Sequence, residues 1–95
     1  METIFSKLKV NNEYELCEVY DPETKDRLEK GLLEERISYF MHFPKTGFFS
    51  KHKYLCVFCV NETSIEIAEE IARKINEEEG YEMNFLIRRN PTSYL

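Results

Sequence analysis

The chain has 95 residues, of which 42% are hydrophobic, and 13 basic against 18 acidic side chains leave a formal net charge of −5. This length gives one domain with one core, and the apolar content excludes global disorder. The negative balance argues against nucleic acid as the partner, and no apolar run nears the roughly 20 residues of a membrane span.

Three cysteines, an odd number, make no disulfide framework. They lie in apolar stretches and read as small buried side chains, which points to a reducing compartment. Met1-Glu2-Thr3-Ile4-Phe5 lacks the basic segment and long apolar run of a signal peptide. The expectation is a soluble, cytoplasmic protein that makes no use of a membrane.

Residues 1–13 read as an N-terminal segment or an extra strand, since Ser6 to Val10 alternates and Asn11-Asn12 suits a tight turn. Tyr14 to Tyr20 is the first main strand, with Cys17 and Val19 on one side and Tyr14, Leu16, Glu18 and Tyr20 on the other. Asp21-Pro22-Glu23 starts a helix: Asp21 as N-cap, Pro22 at the first helical position, Glu23 at the positive end of the dipole. Leu28, Leu32 and Leu33 supply its buried stripe, and Gly31 implies a close packing contact with the sheet or a C-terminal break.

Ile37 to Phe43 is the second strand, with Ile37, Tyr39, Met41 and Phe43 on one side and Ser38, Phe40 and His42 on the other. A long connection from Pro44 to Lys53 follows. Tyr54-Leu55-Cys56-Val57-Phe58-Cys59-Val60 is apolar on both faces and belongs in the middle of a sheet. Thr63-Ser64-Ile65-Glu66 has the spacing of a capping box, opening a helix to about Glu79 that buries Ile65, Ala68, Ala72 and Ile75, with Ile71 widening the face. Gly80 suits the C-terminal cap, and Glu77-Glu78-Glu79 sits badly against the helix's negative end, so the last turn is expected to fray. Tyr81 to Arg88 is the last strand, burying Tyr81, Met83, Phe85 and Ile87, and residues 89–95 form a C-terminal tail.

Two strand–helix–strand units in succession give the α+β, ferredoxin-like βαββαβ sandwich. Its sheet is antiparallel in the order 4-1-3-2, with both helices on one face. Residues 1–95 thus form a single domain. The first strand fits the central position less well than the third, because Glu15 and Glu18 interrupt it.

Asp21-Pro22-Glu23, Leu28, Leu32-Leu33-Glu34 and the strand led by Ile37 resemble the first unit of small GlnB-like signal-transducing domains, over about residues 14–43. The glycine that such domains carry just before the Ile-led strand is absent, and Glu35-Arg36 stand there. Nothing matches the nucleotide-binding loops of nitrogen-regulatory PII proteins. The resemblance implies the ferredoxin-like fold and a regulatory or binding role; it carries over no catalytic residue.

The face away from the helices is the first candidate site. With Cys17, Leu55, Val57 and Cys59 against the helices, that face holds Glu18, Tyr20, Phe40, His42, Tyr54, Phe58, Leu86 and Arg88, together with Tyr14, Leu16, Cys56 and Val60. An apolar, aromatic surface of that extent marks a partner or ligand site. The expected occupant is a second copy, making a homodimer. A small ligand in a cleft, another protein, or the chain's own terminal segments are the alternatives, and Glu18 and Arg88 are placed to pair across the face.

Lys45, Lys51, His52 and Lys53, with Phe48 and Phe49 among them, form a second candidate: an anion patch, or a site for single-stranded nucleic acid. Cys56 and Cys59 have C-x-x-C spacing, but three residues along a strand put them on opposite faces, so they read as packing. His42 and His52 show no metal-ligand spacing, and neither a metal nor a cofactor is expected. An enzyme would have to use Glu18, His42 and Arg88 as its acid–base group. The reading is a non-enzymatic regulatory or interaction module, self-associating through the open sheet face.

Overall fold

A computed structural model describes residues 13–47 and 52–89. In chain order they form β1 (Tyr14–Val19), α1 (Pro22–Glu34), β2 (Tyr39–His42), β3 (Cys56–Val60), a short 3-10 turn (Glu62–Ser64), α2 (Ile65–Glu79) and β4 (Met83–Arg89). Arg89, expected to begin the C-terminal tail, instead ends β4. The proposed strand at residues 6–10, the rest of the tail from residue 90 and Lys51 lie outside the described residues.

All three strand pairings are antiparallel, in the order β2-β3-β1-β4. With two helices over the sheet this is the α+β ferredoxin-like sandwich. Leu28 and Leu32 of α1 and Ala68, Ala72 and Ile75 of α2 join Cys17, Val19, Cys56, Phe58 and Val60 in one buried cluster.

Asp21 caps α1 as expected: its backbone is extended, and its carboxylate accepts from the Thr24 amide and the Thr24 hydroxyl, both at 2.8 Å. The capping box at α2 does not form. Asn61 caps the preceding 3-10 turn and accepts from both the Thr63 amide and the Thr63 hydroxyl, at 3.0 and 2.8 Å. That engages the oxygen the box would have used, and α2 starts at Ile65 behind a Ser64 that makes no side-chain cap. Gly80 closes α2 at φ 75, as its position implied. The last turn is held, because Glu79 receives the Arg27 guanidinium of α1 at 2.8 to 3.1 Å.

Gly31 serves helix–helix packing, where helix–sheet packing was expected. A Cβ there would lie 2.9 Å from Ile71 Cγ2, a distance real Cβ atoms do not show, so the missing side chain lets α1 and α2 close. Arg36, where a glycine was missed in the sequence, has φ 57. The chain leaves α1 through a left-handed residue there, and the Ile37 amide reaches back to the Leu32 carbonyl at 2.9 Å.

The faces of β2 and β4 are as the alternation indicates, and β3 is the reverse. Cys56, Phe58 and Val60 meet the helices, while Val57 and Cys59 point away from them. Tyr54 also packs against the helix-side cluster. Cys56, Phe58, Val60 and Tyr54 therefore leave the open-face set. In β1 an extra residue intervenes between Glu15, opposite Cys59, and Cys17, opposite Phe58. This bulge tucks Leu16 into the core and puts Glu15 and Glu18, three apart, on the same side of the sheet.

Candidate functional site: the reverse face of the sheet

The register lays two rows of side chains across the side turned from the helices. One runs Phe40, Cys59, Glu15, Arg88; the other runs His42, Val57, Glu18, Asn84. The rows share a pattern: a ring on the outer strand β2, a small apolar side chain on β3, a glutamate on β1, and a nitrogen donor on β4. Neighbouring strands lie about 4.8 Å apart, so ring and glutamate in each row are separated by about 10 Å.

The donors meet the glutamates. Arg88 Nε donates to Glu15 at 2.7 Å; the Glu15 side chain is 2% exposed and the Arg88 side chain 58%. Asn84 Nδ2 donates to Glu18 at 2.8 Å, and the Tyr20 hydroxyl donates to the same oxygen at 3.3 Å. The expected Glu18–Arg88 pair is thus replaced by Glu15–Arg88 and Glu18–Asn84. Sequence reasoning passed over Glu15 because plain alternation puts it with Cys17, and only the bulge turns it outward. Its signal was there: a glutamate inside a central strand needs a partner.

The middle of the face is sheltered. Val57 is 3% exposed and Cys59 0%, although both point away from the helices. Phe40, His42, Leu86, Glu18 and Tyr20 are half-buried, and Asn84 and Arg88 are exposed. Burial pushes the Cys56 and Cys59 thiols up to about 12, and pushes the Cys17 thiol up as well. Cys56 lies on the helix side and Cys59 on the reverse, so the C-x-x-C sulfurs do not converge. Among the described residues no three histidine, cysteine or carboxylate side chains gather as a metal site, and no helix is long and apolar enough to cross a membrane.

The basic patch is divided. His52 stacks on Tyr20 with ring centroids 3.8 Å apart and planes 12° from parallel, at the C-terminal end of β1. Burial, and then the Glu18 carboxylate, raise the Tyr20 hydroxyl to about 12. Lys45 and Lys53 are exposed at the base of the long loop, where the Thr46 hydroxyl reaches the Lys53 carbonyl at 3.5 Å. Arg88 and Arg89 sit at the other end of β1, some five residues or about 17 Å away. There Arg89 pairs with Glu62 at 2.8 Å and Glu13 at 3.4 Å.

A second feature lies on the helix side of β2. Leu33, Arg36, Ile37, Ser38 and Tyr39 line an open recess of about 660 Å³ at the end of α1. The Tyr39 hydroxyl donates to Glu29 at 2.7 Å and ties β2 to α1, while Lys25 Nζ holds the same carboxylate at 2.6 Å.

No family model matches the chain, and neither a curated protein nor a solved structure matches it.

Proposed function

We propose that the protein is a non-enzymatic interaction module that works by self-association, in keeping with the regulatory or binding role its resemblance to GlnB-like domains implies. One observation supports this above others: both carboxylates of the reverse face are engaged within the chain, Glu15 with Arg88 and Glu18 with Asn84 and Tyr20. General acid–base chemistry needs such groups turned toward a substrate atom. Glu18 and His42 flank Val57 in one row, with a buried side chain between them and about 10 Å from strand to strand. Thiols held protonated by burial are poor nucleophiles. Three such unpaired thiols also fit a reducing, cytoplasmic setting.

Within a partner's reach are the half-buried rim residues Phe40, His42 and Leu86 and the exposed apolar side chains Leu33 and Phe43. Such groups serve contact between surfaces. Sedimentation equilibrium from low to high micromolar concentration tests the reading. A reversible monomer–dimer equilibrium is expected, and a monomer at every concentration would contradict it.

Anion or single-stranded nucleic-acid binding at Lys45, His52 and Lys53 is the second reading. In its favour, the His52–Tyr20 stack fixes one end of the basic loop beside the sheet. Against it, the arginines lie at the far end of β1 and are ion-paired. A salt-sensitive anisotropy rise with labelled single-stranded RNA, lost on Lys45→Glu plus Lys53→Glu, would favour it over the first.

A further inference from the structure

Three large apolar side chains among the described residues are exposed: Leu33 at 61%, Phe43 at 52% and Ile67 at 54%. Two of the three bracket β2. Leu33, expected in the buried stripe of α1, lies in its last turn with its side chain turned outward, ahead of β2, and Phe43 follows β2 directly. Between them, beside the strand, lies the Leu33–Tyr39 recess.

β2 is an outer strand of the sheet, and among the described residues no strand lies on its far side. Outer strands are usually protected against pairing by charges, prolines or bulges. β4, at the opposite edge, has such devices: Arg88 and Arg89, a disturbed register, and Ile87 at φ 48, a conformation a β-branched residue seldom adopts. β2 has a regular ladder from Tyr39 to His42 and neither an acidic side chain, a lysine, an arginine nor a proline within it. Its length of four residues and Pro44 just beyond limit it, and they do not close it.

We infer that β2 pairs antiparallel with β2 of a second copy, extending the sheet across a twofold axis, with Phe43 of each copy filling the Leu33–Tyr39 recess of the other. This rests on the self-association reading and names the surface that carries it. The edge is self-complementary. Phe43 continues the helix-side alternation of Tyr39 and Met41, and meets Tyr54 edge-on at 6.0 Å. The recess is on that same side, at the other end of the strand. An antiparallel pair with Met41 on the axis sets Phe43 opposite Tyr39 twice, and the axis, normal to the sheet, keeps both copies' helices on one side. Charge is in favour on balance. Lys45, two residues past Phe43, comes to the end of the partner's α1, where Glu34, Glu35 and the negative helix terminus outweigh the one like charge, Arg36.

The test is sedimentation velocity on the full chain and four variants, Phe43→Asp, Leu33→Asp, Ile67→Asp and Leu86→Asp, each checked for unchanged circular dichroism and melting. Phe43→Asp and Leu33→Asp are expected to raise the dimer dissociation constant at least tenfold, and Ile67→Asp, on α2, to leave it unchanged. A dimer that survives Phe43→Asp and Leu33→Asp but dissociates on Leu86→Asp overturns the edge pairing and leaves self-association standing. A monomeric wild-type chain overturns both.

Discussion

The two sides of the sheet are built from the same four strands and hold together by different means. On the helix side the row Met41, Phe58, Cys17, Phe85 is apolar throughout, and α1 and α2 cover it. On the reverse side each row passes from a ring through a small side chain to a glutamate and its donor. The first side is stabilised by burial of apolar area and close packing, the second by charge-assisted hydrogen bonds around a sheltered floor. Composition did not decide which side is which. β3 is apolar both ways, and the bulge in β1 brings Glu15 to the reverse beside Glu18.

This contrast is best broken in β3, where adjacent residues face opposite sides. Phe58→Ala, emptying the helix-side core, is expected to cost about 3–5 kcal/mol in urea unfolding. Val57→Ala, next door on the reverse, removes only two carbon groups from the floor and is expected to cost about 1.5 kcal/mol. Equal losses would mean that the two sides are not the different environments described.

Much of this was readable beforehand, because some residues permit one role. Asp21 before Pro22 and Glu23 suits a helix start, Gly80 after a helix permits a left-handed cap, and one polar side per strand orients β2 and β4. The facing of β3 was not readable. Alternation has information only when the two sides differ, and in Cys56-Val57-Phe58-Cys59-Val60 they do not. Choosing the smaller side chains for the helix side put Phe58 and Tyr54 on the wrong face. The β1 bulge was equally hidden: one extra residue inverts the facing of whatever precedes it, so Glu15 was passed over as a site residue. Arg36 is a further instance, since a left-handed residue at the end of α1 shows in sequence only when it is glycine.

The reverse side is sharpened by Arg88→Ala, which takes a charged donor from a carboxylate that is 2% exposed. Bonds to charged groups contribute about 1.5–3 kcal/mol, and the half-exposed guanidinium reduces this to about 1 kcal/mol through solvent screening. Thermal melts at low and high salt measure it: the loss should shrink with salt, whereas the Phe58→Ala loss should not. A salt-independent Arg88→Ala effect would place the pair's contribution in packing.

The smallest expected effect joins the helix side to the β2 edge. The Lys25 ammonium, and next the Tyr39 hydroxyl, hold the Glu29 carboxyl below its ordinary range. A carboxyl lowered on folding adds stability above its unfolded value and loses it as pH falls through the folded value. Stability should therefore decline on the acid side of the carboxylate range, and Glu29→Gln should flatten that decline. The Tyr39 hydroxyl, raised to about 12 chiefly by burial, adds a loss only when strong base is reached. An unchanged acid limb in Glu29→Gln would mean that the Glu29 contacts make no difference to folding.

The assignment of the two sides is tested most directly by nuclear Overhauser contacts from adjacent residues of β3. Phe58 ring protons should show cross-peaks to the methyl groups of Leu28, Leu32 and Ile75 on the helices, while Val57 methyls should show them to His42 and Glu18 and to neither helix. Val57 methyls in contact with Leu28 or Ile75, and a Phe58 ring without such contacts, would contradict the account.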